Sequence, residues 1–257
     1  MSYFNRVIFR IKRTNSPFFR FIKKCIQVVG KPTLPPLPRL ILLPLRLVYE
    51  AHFLIIIVTR ALTTLFYRNP LFQSRCESFG RDVSIEGLPF VSGHLEIHIG
   101  NSVNIGGRVA FFAGSTFEHP QLVIKDRSAV GWGTVITVNK EVIIEEDVIV
   151  SYDCRISDSD GHCREADLRA AGARPAPNDI SPVRICRHAW IGNGSHIMKG
   201  VTIGEGAVVS ANSVVVTNVP PYTLAMGNPA EIILRNFGLP STARKKKKPE
   251  PASPPPQ

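Results

Sequence analysis

No two cysteines in this chain form a C-x-x-C pair, and the five present (Cys25, Cys76, Cys154, Cys163, Cys186) are odd in number and scattered. They supply no disulfide framework, and a reduced, cytoplasmic compartment is the simplest expectation. Long apolar runs are also missing. Arg46, Glu50, His52 and Arg60 interrupt the apolar stretch from Leu45 to Tyr67, whose longest unbroken core is Phe53 to Val58. A spanning helix needs roughly 18–20 mostly apolar residues, and a crossing here would bury charge, so a monotopic or packed helix is expected. The first residues alternate apolar and basic side chains and lack the continuous apolar core of a secretory signal.

Acidic residues are scarce at both ends. Residues 1–70 hold twelve Lys/Arg against Glu50 alone, and residues 241–257 hold five against Glu250, so the net +11 of the chain leaves the middle at −4. A mildly acidic body with basic ends argues for a surface-binding arm and against a nucleic-acid groove in the folded domain. The apolar periodicity of the arm points the same way, and no nucleic-acid partner is expected.

What the chain does have is a period of six. From Ile185 to Pro221 it reads ICRHAW, IGNGSH, IMKGVT, IGEGAV, VSANSV, VVTNVP, with aliphatics at Ile185, Ile191, Ile197, Ile203, Val209 and Val215. The same spacing runs upstream through Phe79, Ile85, Val91; Ile99, Ile105, Phe111; Ile124, Val130, Ile136; and Ile144, Val150, Ile156. Each short repeat can bury its aliphatic side chain only by stacking on its neighbours. Six triplets of hexads therefore predict an all-β core, a parallel β-helix with three strands per coil. Register slips place extra residues near Ser92–Gly93, His119–Pro120 and Asn139–Lys140. The largest insertion, 157–184, is far longer than an ordinary connector and so is a candidate functional loop.

Three regions follow: a basic arm of amphipathic helices with a proline-rich connector at 31–44 (1–70), the repeat domain (71–240), and a tail at 241–257 with almost nothing to bury, expected to be disordered. Phe4, Val7, Ile8 and Ile11 share one helical face, and Phe18, Ile22, Cys25 and Val29 another that begins at Ser16-Pro17. Basic residues flank both faces, which suits helices lying in a membrane interface through residues 1–67.

The GH of ISDSDGHCREADLR, the AWIG one loop later, the KGVTIGEGAVVSANSVV run and the VPPYTLAMGNPAEII ending together resemble the hexapeptide-repeat acyltransferases. The galactoside and maltose O-acetyltransferases and their surface-polysaccharide relatives are the most similar branch, over about 79–235. The resemblance implies a left-handed β-helix and a homotrimer with active sites between subunits. It also implies acetyl transfer from acetyl-CoA to a sugar hydroxyl, for which a polysaccharide precursor is a candidate acceptor.

Such a transfer needs a base for the hydroxyl proton, a donor for the oxyanion and a groove for the pantetheine arm. By resemblance His162 is the base and Trp190 lines the active-site groove. Asn193 stands where the galactoside branch has a hydroxyl residue, and Asp158 or Asp160 orients the imidazole or meets the acceptor. The coenzyme would lie along Gly192, Asn193, Ser210, Ala211 and Thr217, mostly against backbone groups.

Departures from the branch bear on the donor. Thr217 replaces a usual lysine, and Glu231 and Leu234 follow GNPA where cations are common, leaving Arg235 or Lys245 to Lys248 to meet the coenzyme's phosphates. An acyl carrier protein as donor and a non-catalytic scaffold at the membrane remain alternatives. Cys163 beside His162 raises a thiol nucleophile, whereas the family transfers directly. His94, His98, His119, His188 and His196 lack the coil spacing of the three-histidine zinc site found in gamma-type carbonic anhydrases, so no metal is expected. The body would be cytoplasmic, peripheral on the inner face of the cell membrane.

Overall fold

The computed structural model describes residues 37–239, together with Pro17, Phe18, Arg20, Phe21 and Lys24 of a preceding helical stretch. The helix expected over residues 2–13 and the tail at 241–257 lie outside the described residues. The chain divides into two compact units, Met1–Ile57 and Val58–Gln257.

In the first unit the main feature is the start of a helix, Arg39–Thr63, that contains Pro44 and has no buried residue. The proline-rich connector was expected to exclude regular helix as far as residue 44. Pro44 is instead the sixth residue of the helix, where it forgoes one ladder hydrogen bond, to Leu40 O. The earlier start adds Leu40, Ile41, Leu42 and Leu43 to the apolar run, all exposed. With the turns that follow, the helical stretch Arg39–Gln73 is the one among the described residues long and apolar enough to cross a membrane.

The second unit is a left-handed parallel β-helix, and the hexad pattern explains its register strand by strand. A six-stranded first sheet stacks Phe79, Ile99, Ile124, Ile144, Ile185 and Ile203. The second stacks Ile85, Ile105, Val130, Val150, Ile191 and Val209. The third stacks Val91, Phe111, Ile136, Ile156, Ile197 and Val215. Nearly all of these side chains are buried, so the three ladders meet in one aliphatic core. Strands of mostly two to four residues suffice because each N–H and C=O is satisfied by the coil above or below.

Both ends of the coil stack are finished by other elements. At the start, the short helix Asn69–Gln73 puts Phe72 into the core, where it is 1% exposed and its ring lies 6.2 Å from those of Phe79 and Phe111. The compact unit begins at Val58, ahead of the boundary expected near residue 70. Thr64 Oγ1 donates to Ile85 O, Arg68 Nη1 to Glu86 O and Asn69 Nδ2 to Val83 O, tying the preceding turns to the first coil. Burial against the same helix pushes the Cys76 thiol up to about 12. At the far end, Thr223–Gly227 joins the second sheet in parallel, and Ala230–Arg235 folds back on it antiparallel.

Candidate active site

Two parts of the repeat domain carry the residues singled out from sequence. The first is the corner between the third and first sheets, where the long insertion leaves the coil after the strand Arg155–Ser157. Asp158 does not face out of this loop. Its carboxylate is fully buried and accepts the backbone N–H of Asn139 (2.7 Å), Lys140 (2.6 Å) and Glu141 (2.9 Å), the corner of the preceding coil. Burial raises the Asp158 carboxyl above its usual range, and the three N–H groups oppose that rise. Ser181 N–H donates to Asp158 O at 2.9 Å and closes the neck of the loop.

Asp160 is occupied too, 2.5 Å from Lys199 Nζ, which also donates to Asp179 O at 2.8 Å. Neither acid, expected to orient the imidazole or meet the acceptor, is hydrogen-bonded to His162: one anchors the loop neck and the other clamps its two limbs. Lys199 was absent from the sequence-derived site. Its signal lay in the stack, where it stands two residues after Ile197, as Asp158 stands after Ile156 and Thr217 after Val215.

Within the loop, Cys163 is buried, and its thiol donates to Arg174 O at 2.9 Å. Arg169 Nη1 donates to Cys163 O, and Arg164 pairs with Asp179 at 3.1 Å. Cys163 thus fastens the loop internally. The loop also leans on an earlier coil, with Arg174 Nη1 donating to Ser115 O and Thr116 Oγ1 to Pro175 O. Against this fixed background His162 is exposed, follows Gly161 at φ +80°, and makes no hydrogen bond among the described residues. Its imidazole is available as a proton acceptor.

The second part is the outer face of the second sheet and its corner with the third. Trp190 is half-exposed, with its indole N–H donating to Ser151 Oγ at 3.0 Å. Trp132, not selected from sequence, lies over Gly106 and Gly107. A Cβ at Gly107 would sit 2.7 Å from its ring, so only glycine leaves room for the indole there. The Trp132 N–H donates to Glu86, which holds that carboxyl below its usual range, helped by Arg60. Trp132, Tyr152, Trp190, Glu86, Asn104 and Asn193 border a groove of about 520 Å³.

At the adjoining corner, the coil of Gly192 and Asn193 rests directly on that of Ser210 and Ala211: a Cβ on Gly192 would meet Ala211 N at 2.6 Å. Backbone groups were expected to meet the coenzyme here, and several of them are bonded within the coil. Gly192 N–H donates to Val209 O and Ser210 N–H to Ala225 O, while Ser210 O accepts from Ser195 Oγ. Those groups are spent within the coil. The N–H groups of Asn193 and Ala211 have no protein acceptor among the described residues. The Asn193 side chain accepts from Tyr152 N–H at 3.3 Å, so its amide is already partly committed. Thr217 and Arg235 are exposed and lie apart from this corner, Thr217 on the third-to-first corner and Arg235 at the end of the last strand. Within one chain, then, His162 and Trp190 stand on different faces.

Residues 182–217 match the family model for the bacterial transferase hexapeptide, six repeats. A probable acetyltransferase of Mycobacterium tuberculosis is 29% identical over 166 residues, covering 64% of this chain and 52% of that protein. A putative acetyltransferase of Schizosaccharomyces pombe is 50% identical over 52 residues, 20% of this chain and 25% of its own. The chain therefore spans from a quarter to about half of the length of these relatives. Among solved structures, the N-acyltransferase AntD of Bacillus cereus, in complex with dTDP and 3-hydroxybutyryl-CoA, matches with a TM-score of 0.51 at 20% identity, covering 65% of this chain and 87% of that one. That likeness concerns the fold. Residues 182–217 thus carry the hexapeptide repeat, and the relatives that match are described as acetyltransferases.

Proposed function

We propose that this chain is an O-acetyltransferase that moves an acetyl group from acetyl-CoA to a hydroxyl of a saccharide. The observation that carries the reading is His162, an exposed imidazole without a hydrogen-bond partner among the described residues, presented by a loop that Asp158, Asp160 and Cys163 help to fix. A base so placed can take the proton of an incoming hydroxyl as its oxygen attacks the thioester carbonyl. The tetrahedral oxyanion then needs a donor, and the N–H groups of Asn193 and Ala211 are available at the second-to-third corner. Collapse of that intermediate expels the thiolate, and the proton held on His162 returns to it.

A single chain keeps base and corner apart, so the working site requires a second copy whose corner faces the first chain's loop. The homotrimer implied by the resemblance provides that arrangement. The coenzyme donor is supported by the acyl-CoA that AntD carries on the same fold, with Arg235 a candidate replacement for the usual phosphate-binding cations. Calorimetry should show saturable acetyl-CoA binding by the full chain. No binding, with transfer observed from acyl carrier protein, would reassign the donor; no binding and no transfer would leave a scaffold.

The exposed apolar helix supports a membrane location on the inner face, with a lipid-linked sugar or polysaccharide precursor as acceptor. A helix that exposes Leu40 to Leu43 and Phe53 to Val58 needs an apolar cover, and lipid provides one. Because that attachment is hydrophobic, a wash at about 1 M salt, which screens charges beyond about 3 Å, should leave the protein with the membrane, while detergent should release it. Release by salt alone would mean that the basic ends, and not the helix, hold it there.

A further inference from the structure

In earlier coils of the same third-to-first corner that carries the long loop, the fold brings together side chains far apart in sequence. Glu96 opens the first-sheet strand Glu96–Ile99, and in the next coil Gln121 pairs directly with it. His119 stands just before that second strand, ahead of Pro120, while His94 follows the Gly93 turn (φ +83°) at the start of the first. His119 Nδ1 lies 2.7 Å from Glu96 Oε1, and the rings of His94 and His119 meet edge to face with centroids 6.2 Å apart. One nitrogen from each histidine and one oxygen of Glu96 all lie within 4.8 Å of one another. Gln121 Nε2 donates to the other Glu96 oxygen at 3.0 Å, fixing the carboxylate plane and leaving Oε1 turned to the imidazoles.

We propose that His94, Glu96 and His119 form a binding site for a divalent transition-metal ion of the zinc type. Two borderline imidazoles and one hard carboxylate make a donor set that zinc accepts in tetrahedral geometry. Ligands bonded at about 2.1 Å in that geometry stand roughly 3.4 Å apart, so small rotations of exposed side chains close the site. Gln121 acts as the outer partner that orients the ligating carboxylate. Both histidines are exposed, which leaves the fourth position to water.

The ion's role would be a clip. His119 is the last residue but one of the segment 114–120, whose Ser115 and Thr116 receive the long loop through Arg174 and Pro175. Tying His119 to Glu96 and His94 holds that segment to the preceding coil and steadies the surface on which the loop rests. None of the three ligands lines the aromatic groove, and the proposal does not depend on the proposed reaction.

The test uses the full chain without a histidine tag, dialysed against zinc and then passed into zinc-free buffer. Wild type should retain about one zinc per chain and unfold at a higher temperature with zinc than after chelation. Cobalt in its place should give the visible absorption of a four-coordinate ion. His94→Ala, His119→Ala and Glu96→Gln should each weaken zinc binding about tenfold or more, and Gln121→Ala by at least about tenfold. His188→Ala, an exposed histidine outside the cluster, should bind as wild type. Zinc retention unchanged in His94→Ala and His119→Ala, or no saturable binding by wild type, would overturn the proposal and leave a His119–Glu96 ion pair.

Discussion

Replacing His162 with alanine should lower the rate of acetyl transfer by about 10²–10⁴-fold, the usual cost of removing a general base. The loss should appear in kcat, with acetyl-CoA binding by calorimetry nearly unchanged, because His162 stands apart from the corner assigned to the donor. The fold should not be disturbed. The side chain is exposed and makes no hydrogen bond among the described residues, so its removal vacates no core space and orphans no buried group. Thermal unfolding of the variant should match wild type, separating a chemical from a structural effect. Asparagine at this position should not restore turnover, since an amide offers no nitrogen that takes up a proton near neutral pH. Undiminished turnover in His162→Ala would remove the base from the proposed mechanism.

The same residue shows what could be read from sequence and what could not. Its place after the Ile156 hexad followed from periodicity, because a coil needs one inward aliphatic per face. The six-residue period thus predicted which side chains stack on which, down to Ile99 over Ile124 and Ile191 over Val209. What lies outside the coil depends on contacts between coils of unequal length, and a period carries no information about those. Asp158 and Asp160 read alike as loop acids, yet one points inward to three N–H groups and the other outward to Lys199. Trp132 was one aromatic in GWG until the backbone of Gly106 and Gly107 was seen beneath it. His94 and His119 share no coil spacing, and they meet because the insertion before Pro120 carries the second back to the first.

Asp158 carries the other large expected effect, and it tests whether the anchoring assignment is right. Alanine there would strip the acceptor from the N–H groups of Asn139, Lys140 and Glu141 at once. An unsatisfied buried donor costs about 1–3 kcal/mol, so even with water reaching the less buried two the loss should be on the order of 3 kcal/mol or more. Equilibrium denaturation should show it as a lower midpoint. The isosteric Asp158→Asn can keep its carbonyl toward Lys140 and Glu141 while its NH₂ opposes Asn139, and should fall between wild type and alanine. If Asp158 acted by orienting His162, the asparagine variant would keep its stability, lose turnover and shift the pH profile. As an anchor, it should instead lose turnover only as amides across 158–182 gain hydrogen exchange, with activity recovering where the loop is still ordered. Lys199→Ala, which releases Asp160 and Asp179 O from the other side, should raise exchange over the same segment. A stable Asp158→Asn enzyme with a displaced pH optimum would return this carboxylate to the chemistry; coincident loss of loop protection and turnover would keep it in the scaffold that holds His162 in place.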